Sequence, residues 1–223
     1  MKFLLFSEIA FEVSDPIALI ESYCFQTNFY RNYDLPQDRR IELVNKIGAR
    51  ILQAEKRRRC SIVIHETEGL NIFKYSLDDF LDNRSMQDHV RELDEKVIKK
   101  LMNIPGIGLS KATKVLHTFY PEIIPMIDNP LQKVYRSKVG KKRNEGNSYQ
   151  ILVAYYRNLK ERDNRQNLNE VFEIVRRNNF QGLSKLRVFD ILWWSYLKCK
   201  ELTEEVKRER SIDLNLSSMK WFD

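Results

Sequence analysis

The residues best suited to chemistry lie between positions 103 and 135, NIPGIGLSKATKVLHTFYPEIIPMIDNPLQKVY. The segment opens on Ile104-Pro105-Gly106-Ile107-Gly108, two glycines alternating with apolar residues. Gly106 and Gly108 suit a tight turn with φ > 0 and backbone left uncovered. A helix that starts just after such a turn presents bare N–H groups, a ready anion site. Lys111 and Lys114 fall in its first turns and add positive charge. Pro105, Gly106, Ile107, Gly108, Ser110, Lys111 and Lys114 are therefore the candidate phosphate-binding residues, of a kind that grips a backbone without reading bases. The bland alternative is an αα-turn whose glycines serve close packing. Farther along, Asp128 precedes Asn129-Pro130. A carboxylate there can stabilise positive charge or orient a water. It can equally be a helix cap, although Asn129 could cap instead, with Pro130 at the first helical position and Asp128 left free.

The elements that must position these groups are helices. Upstream, Val90, Leu93, Val97, Ile98, Leu101 and Met102 recur at helical spacing, and downstream Ala112, Val115, Leu116 and Phe119 do the same. Ile104 and Ile107 can pin the hairpin between the two helices. Pro121 and Pro125 stop the second helix, and Leu131, Val134 and Tyr135 begin another.

Taken together, the glycine hairpin, the intervening helix and Asp128 resemble the HhH-GPD superfamily of DNA base-excision repair glycosylases. The resemblance covers residues 90–136 and is diffuse elsewhere. It implies an all-α, two-lobed helical fold with a helix-hairpin-helix at the cleft, a double-stranded DNA partner and Asp128 as the catalytic residue. It implies no organic cofactor, and a monovalent cation held by hairpin carbonyls. Relatives that act as lyases carry a Lys two residues after the second glycine, where this chain has Ser110. Lys111, one residue on, points about 100° away around a helix. The resemblance thus implies a monofunctional glycosylase, a hydrolase acting on DNA damage, with a non-catalytic DNA-binding scaffold as the alternative. A third reading is an all-α interaction protein whose hairpin is structural. Trp193 and Trp194 would line the base pocket, since flipped bases stack on aromatics; read from their apolar surroundings they are core fillers.

The 223 residues suffice for a single helical unit, and 38 Lys and Arg against 31 Asp and Glu give a net charge of +7, compatible with a polyanion. Cys24, Cys60 and Cys199 are too dispersed for a zinc site or the iron–sulfur cluster some relatives carry. Their sparse, odd number suits a reducing compartment. The N-terminus lacks a signal-peptide pattern and no run is long enough to span a membrane. The expectation is an intracellular monomer, cytoplasmic or nucleoid-associated.

In chain order, residues 1–13 read as a short strand or arm, and Ser14-Asp15-Pro16 starts a helix. The 32–36 segment breaks it. A long helix follows from about Gln37, lined by Ile41, Val44, Ile47, Ile51 and Leu52, and ends in Lys56-Arg57-Arg58-Arg59, read as a solvated cationic C-terminus with a DNA contact as the alternative. The CSIVIH run at 60–65 is a strand or a helical turn, and His65 beside it reads as structural. Ser76 or Leu77 starts a short helix, and Ser85 caps the helix feeding the hairpin, with the hairpin and Asp128 segment spanning 85–136. A basic loop occupies 137–148. Helices follow over 149–159 and 168–176, separated by a polar connector, 160–166. An apolar helix starts at Ser184, with Arg187 and Asp190 spaced to pair. Residues 205–223 form a tail.

Overall fold

The computed structural model describes residues 1–6, 8–27, 44–45, 49–67, 69–139, 148–178, 180, 182–209 and 219–221, with backbone alone at 9, 24–27, 138, 199, 201–209 and 219–221. The chain is mostly helical, as its apolar periodicity predicts, with one small antiparallel sheet. β1 (Lys2–Leu5) and β2 (Glu8–Val13) pair in register from Lys2↔Glu12 to Leu5↔Glu8, with an irregularity after Phe3. α1 (Pro16–Thr27) follows, and the Ala18 N–H bonds Asp15 Oδ1 at its start.

The long helix expected to end at Arg59 is not built that way. The expected break at 32–36, Ile41 and Ile47 lie outside the described residues. Residues 49–53 are irregular, Arg50 has a φ of 52°, and Leu52 is 73 % exposed. Side chains divert the backbone here. Asn45 Oδ1 accepts the Ile51 N–H, Asn45 Nδ2 donates to Ile51 O, and Arg57 donates to Leu52 O at 2.6 Å. Val44 and Asn45 are helical, but the irregular 49–53 segment separates them from α2 (Ala54–His65), so CSIVIH is the second half of α2 and the basic run lies at its start. His65 is exposed in the last turn.

A 3₁₀ turn (Asn71–Lys74) leads to α3 (Leu77–Asp82), capped as expected: the Asp79 N–H bonds Ser76 Oγ, which donates back to Asp79. α4 (Met86–Leu93) follows; Ser85 holds the cap position without a side-chain bond, and its N–H is taken by Asn83 Oδ1. A π-helical turn (Asp94–Ile98) and α5 (Lys99–Met102) carry the same axis to the hairpin. Burial pushes the Asp94 carboxyl up, with the Lys99 ammonium 3.4 Å away.

After the hairpin come α6 (Leu109–Phe119), α7 (Asn129–Val139), α8 (Ser148–Lys160), α9 (Arg162–Arg177) and α10 (Lys185–Glu209). The polar connector predicted for 160–166 is largely helix, because Arg165 pairs with Asp78 and Asp82 and Asn164 is buried. Residues 140–147 of the expected basic loop lie outside the described residues. α10 runs past the apolar stretch to Glu209, and β3 (Met219–Trp221) pairs with β2 where a tail was expected.

β1, α1 and α10 pack around α9, while α8 lies against α3, α4 and α7. A contiguous apolar cluster runs through both groups. Asn164 anchors β1 through both its amide atoms, accepting the Leu4 N–H and donating to Leu4 O. No described helix is long and apolar enough to cross a membrane.

Candidate functional site

The hairpin has the expected two-sided character. Ile104 and Ile107 are buried to 5 % and 4 % exposure between the flanking helices, whereas Pro105, Gly106 and Gly108 are exposed at the tip. The turn is closed by the Ile107 N–H on Ile104 O. Only Gly106 adopts a left-handed φ, +81°; Gly108 is extended, with φ −96° and ψ −179°, which any residue tolerates. A Cβ on Gly108 would meet nothing within 4 Å. Its glycine thus answers neither backbone strain nor packing, and what it leaves is open access to α6.

α6 starts there without a side-chain cap, its first internal bond running from the Ala112 N–H to Gly108 O. No described acceptor takes the N–H groups of Leu109, Ser110 or Lys111. Aligned peptide dipoles make those groups a site for an anion. Lys111 and Lys114 are half-buried along the helix. Lys56, from α2, places its ammonium 3.2 Å from where a Gly106 Cβ would lie. That positive charge beside the turn works against the monovalent cation that the resemblance implies there.

The strand of irregular chain from Pro121 to Asp128 is held by side chains of four elements. His117 meets Ile124 O, Tyr156 donates to Ile123 O, and Ser184 donates to Pro121 O. The Met126 N–H bonds Asp190 Oδ2 at 2.8 Å, the Ile127 N–H bonds Thr113 Oγ1 at 3.2 Å, and Gln132 donates to Ile127 O. A loop satisfied this fully has little freedom, and it delivers Asp128 to one place.

There Asp128 caps α7: its Oδ1 accepts the Leu131 N–H at 3.1 Å, and its carbonyl starts the helix through Gln132. Of the two caps the sequence allows, the structure uses Asp128 and not Asn129. Asn129 is already helical, and the carboxylate is the stronger partner for the helix N-terminus. Burial pushes the Asp128 carboxyl up from its ordinary value; the Leu131 N–H and the charges of Lys114, Lys198 and Arg187 oppose this. Burial also lowers Lys114, with Asp128 holding it back. Lys114 therefore belongs with the carboxylate, one helical turn after Ser110 on the same side of α6.

The structure encloses Trp193 and leaves Trp194 half-buried on α10. Trp193 is fully buried, edge-on to Phe11 at 5.1 Å and to Tyr196 at 5.8 Å, and cannot receive a base. Trp194 lies edge-on to Tyr23 of α1. Arg187 lies close enough for its charge to act on Asp190. It donates to Tyr23 Oη and Met126 Sδ and stacks over the Tyr23 ring, while Asp190 accepts from Tyr155 Oη and Met126. His117, Thr113, Gln132, Tyr156 and Asp190 position the loop, yet their spacing matches no local motif. Each acts on backbone that is remote or irregular. Among the described residues, no group of three or more His, Cys, Asp or Glu is arranged to hold a metal ion.

The chain belongs to a family of unknown function, DUF6308, whose model matches residues 45–197. That span takes in α2, the hairpin, the Asp128 loop and the start of α10. No curated protein and no solved structure matches the chain.

Proposed function

We propose that this protein grips duplex DNA through the 103–108 hairpin and hydrolyses the N-glycosidic bond of a damaged or mismatched base at Asp128. The observation that carries the reading is the uncapped start of α6 beneath an extended, unobstructed Gly108. A phosphate fits that place by charge, by hydrogen bonding and by access. The chemistry rests on the clamped loop that presents Asp128 beside Lys114 and Lys198. Their positive charges favour the ionised carboxylate against its burial. As the base departs, that anion stabilises the positive charge growing on the sugar and orients a water toward it. Ser110 offers no amine, so the product is an abasic site with an uncut strand.

A specific observation favours a second reading. Asp128 Oδ1 is committed to Leu131, so the carboxylate has a structural reason to be there. On this reading the protein is a helix-hairpin-helix DNA-binding scaffold without catalysis. One experiment separates the two: duplexes each bearing one lesion or mismatch are incubated with the native protein and with Asp128→Asn, then treated with alkali to cut abasic sites. Release by the native protein alone supports the glycosylase. Equal release by both removes Asp128 from catalysis. Salt-dependent duplex binding without release establishes the scaffold, and no duplex binding at all removes both DNA readings.

A further inference from the structure

Apart from Arg57, the basic run 56–59 does little for stability where the fold puts it. At the end of a helix these cations would complement the dipole, but they occupy the first turns of α2, where they oppose it. Their local partners are few. Arg57 is spent on Ile51 O and Leu52 O, holding the 49–53 segment. Arg59 reaches Glu55 only at 3.9 Å, both exposed. Lys56 and Arg58 have no ion pair or hydrogen bond among the described residues.

The orientation of α2 is set by its other end. Thr67 Oγ1 meets Tyr120 Oη at 2.8 Å just beyond α6, and Glu66 accepts from Lys100 of α5 at 2.6 Å. Cys60 and Ile64 bury the inner face. With that end fixed, the N-terminal turn falls at the hairpin tip, where Lys56 Nζ stands over Gly106. An ammonium held over exposed backbone, with no anionic partner among the described residues, is poised for an anion from outside.

We infer that the first turns of α2 form a second phosphate-binding element for the DNA backbone, with Lys56 on the phosphate held by the hairpin and Arg59, one turn on along the same side of the helix, on a neighbouring one. This rests on the duplex-binding reading above and is separable from it. The cations lie on a different helix from the hairpin amides and contribute nothing to the hairpin's own geometry.

The test is the salt dependence of binding to one unmodified duplex, measured for the native protein, Lys56→Gln, Lys56→Gln/Arg59→Gln and Arg177→Gln, an exposed cation of α9. The slope of log affinity against log salt should shrink by about 0.9 for Lys56→Gln and by about twice that for the double variant, one step per lost phosphate contact. Arg177→Gln should leave it unchanged. The thermal midpoint of the double variant should stay level or rise, since two unfavourable charges leave a helix start; this keeps weaker binding from being mistaken for unfolding. Native-like slopes in both Gln variants, with the native protein binding salt-dependently, would overturn the second element while leaving the hairpin reading intact. A native protein that binds no duplex removes both.

Discussion

At the scale of single residues, the two hairpin glycines make opposite predictions. Gly106 has φ +81° and Lys56 close by, so Gly106→Ala should lose more than about 1 kcal/mol of stability, measured by denaturant unfolding. Gly108 is extended in open space, so Gly108→Ala should cost only the small cap preference, roughly 1 kcal/mol or less. Its methyl would nonetheless stand over the α6 amides, and duplex affinity should fall at least tenfold. Unchanged affinity would mean that no phosphate approaches there. Asp128 allows a similar separation. Asparagine caps as well as aspartate, so Asp128→Asn should unfold within about 0.5 kcal/mol of the native protein, whereas Asp128→Ala should lose about 1 kcal/mol with the cap. A loss of base release common to both variants then reports chemistry rather than folding.

At the scale of elements, the 121–128 loop is the part whose order depends on distant helices. Asp190 of α10 holds both the Met126 N–H and the Tyr155 hydroxyl. Asp190→Ala leaves two buried groups unpaired, at about 1–3 kcal/mol each. Tyr156→Phe leaves only Ile123 O unpaired and should cost about 1–3 kcal/mol by the same reasoning. On the glycosylase reading, both variants should slow base release while duplex affinity stays native, because the hairpin is held separately by Ile104 and Ile107. A parallel fall in affinity would show that loop and hairpin are one structural unit.

At the scale of the whole molecule, two fully buried groups near the site oppose each other in pH dependence. Burial, reinforced by Arg187, lowers His117 from 6.5 to about 3. Between those values the unfolded chain takes up a proton that the folded chain refuses, so stability is lost as pH falls below about 6.5, by about 1.4 kcal/mol per unit. Burial raises Asp190 from 3.8 to about 6. In that window the folded chain keeps a proton that the unfolded chain releases, so acidification favours folding. The two effects offset one another between about pH 4 and 6. Urea unfolding over that range should therefore show Asp190→Asn losing stability with acid more steeply than the native protein, and His117→Asn less steeply. Equal slopes in all three proteins would mean that neither group titrates as its burial dictates.

The sequence by itself determined the helices, the hairpin and the solvent side of its glycines, because these follow from short-range periodicity and turn chemistry. Val90, Leu93, Ala112 and Val115 are buried where their spacing puts them. Tertiary structure alone decided three other matters. The apolar spacing of Val44, Ile47 and Ile51 suggests a continuous helix, yet Asn45 and Arg57 capture the backbone at 51–52, so the basic run starts a helix instead of ending one. Trp193 reads as a core filler or a base platform, and Phe11 of the sheet with Tyr196 of α10 encloses it as core. Asp128 reads as either a cap or a free carboxylate before Asn129-Pro130, and the loop bonds from Thr113, His117, Tyr156 and Asp190 set the register in which it meets the Leu131 N–H. Each of these depends on partners far away in the chain or on competition for a single backbone group. Periodicity carries no information about either, because it records which face is apolar and not what that face meets.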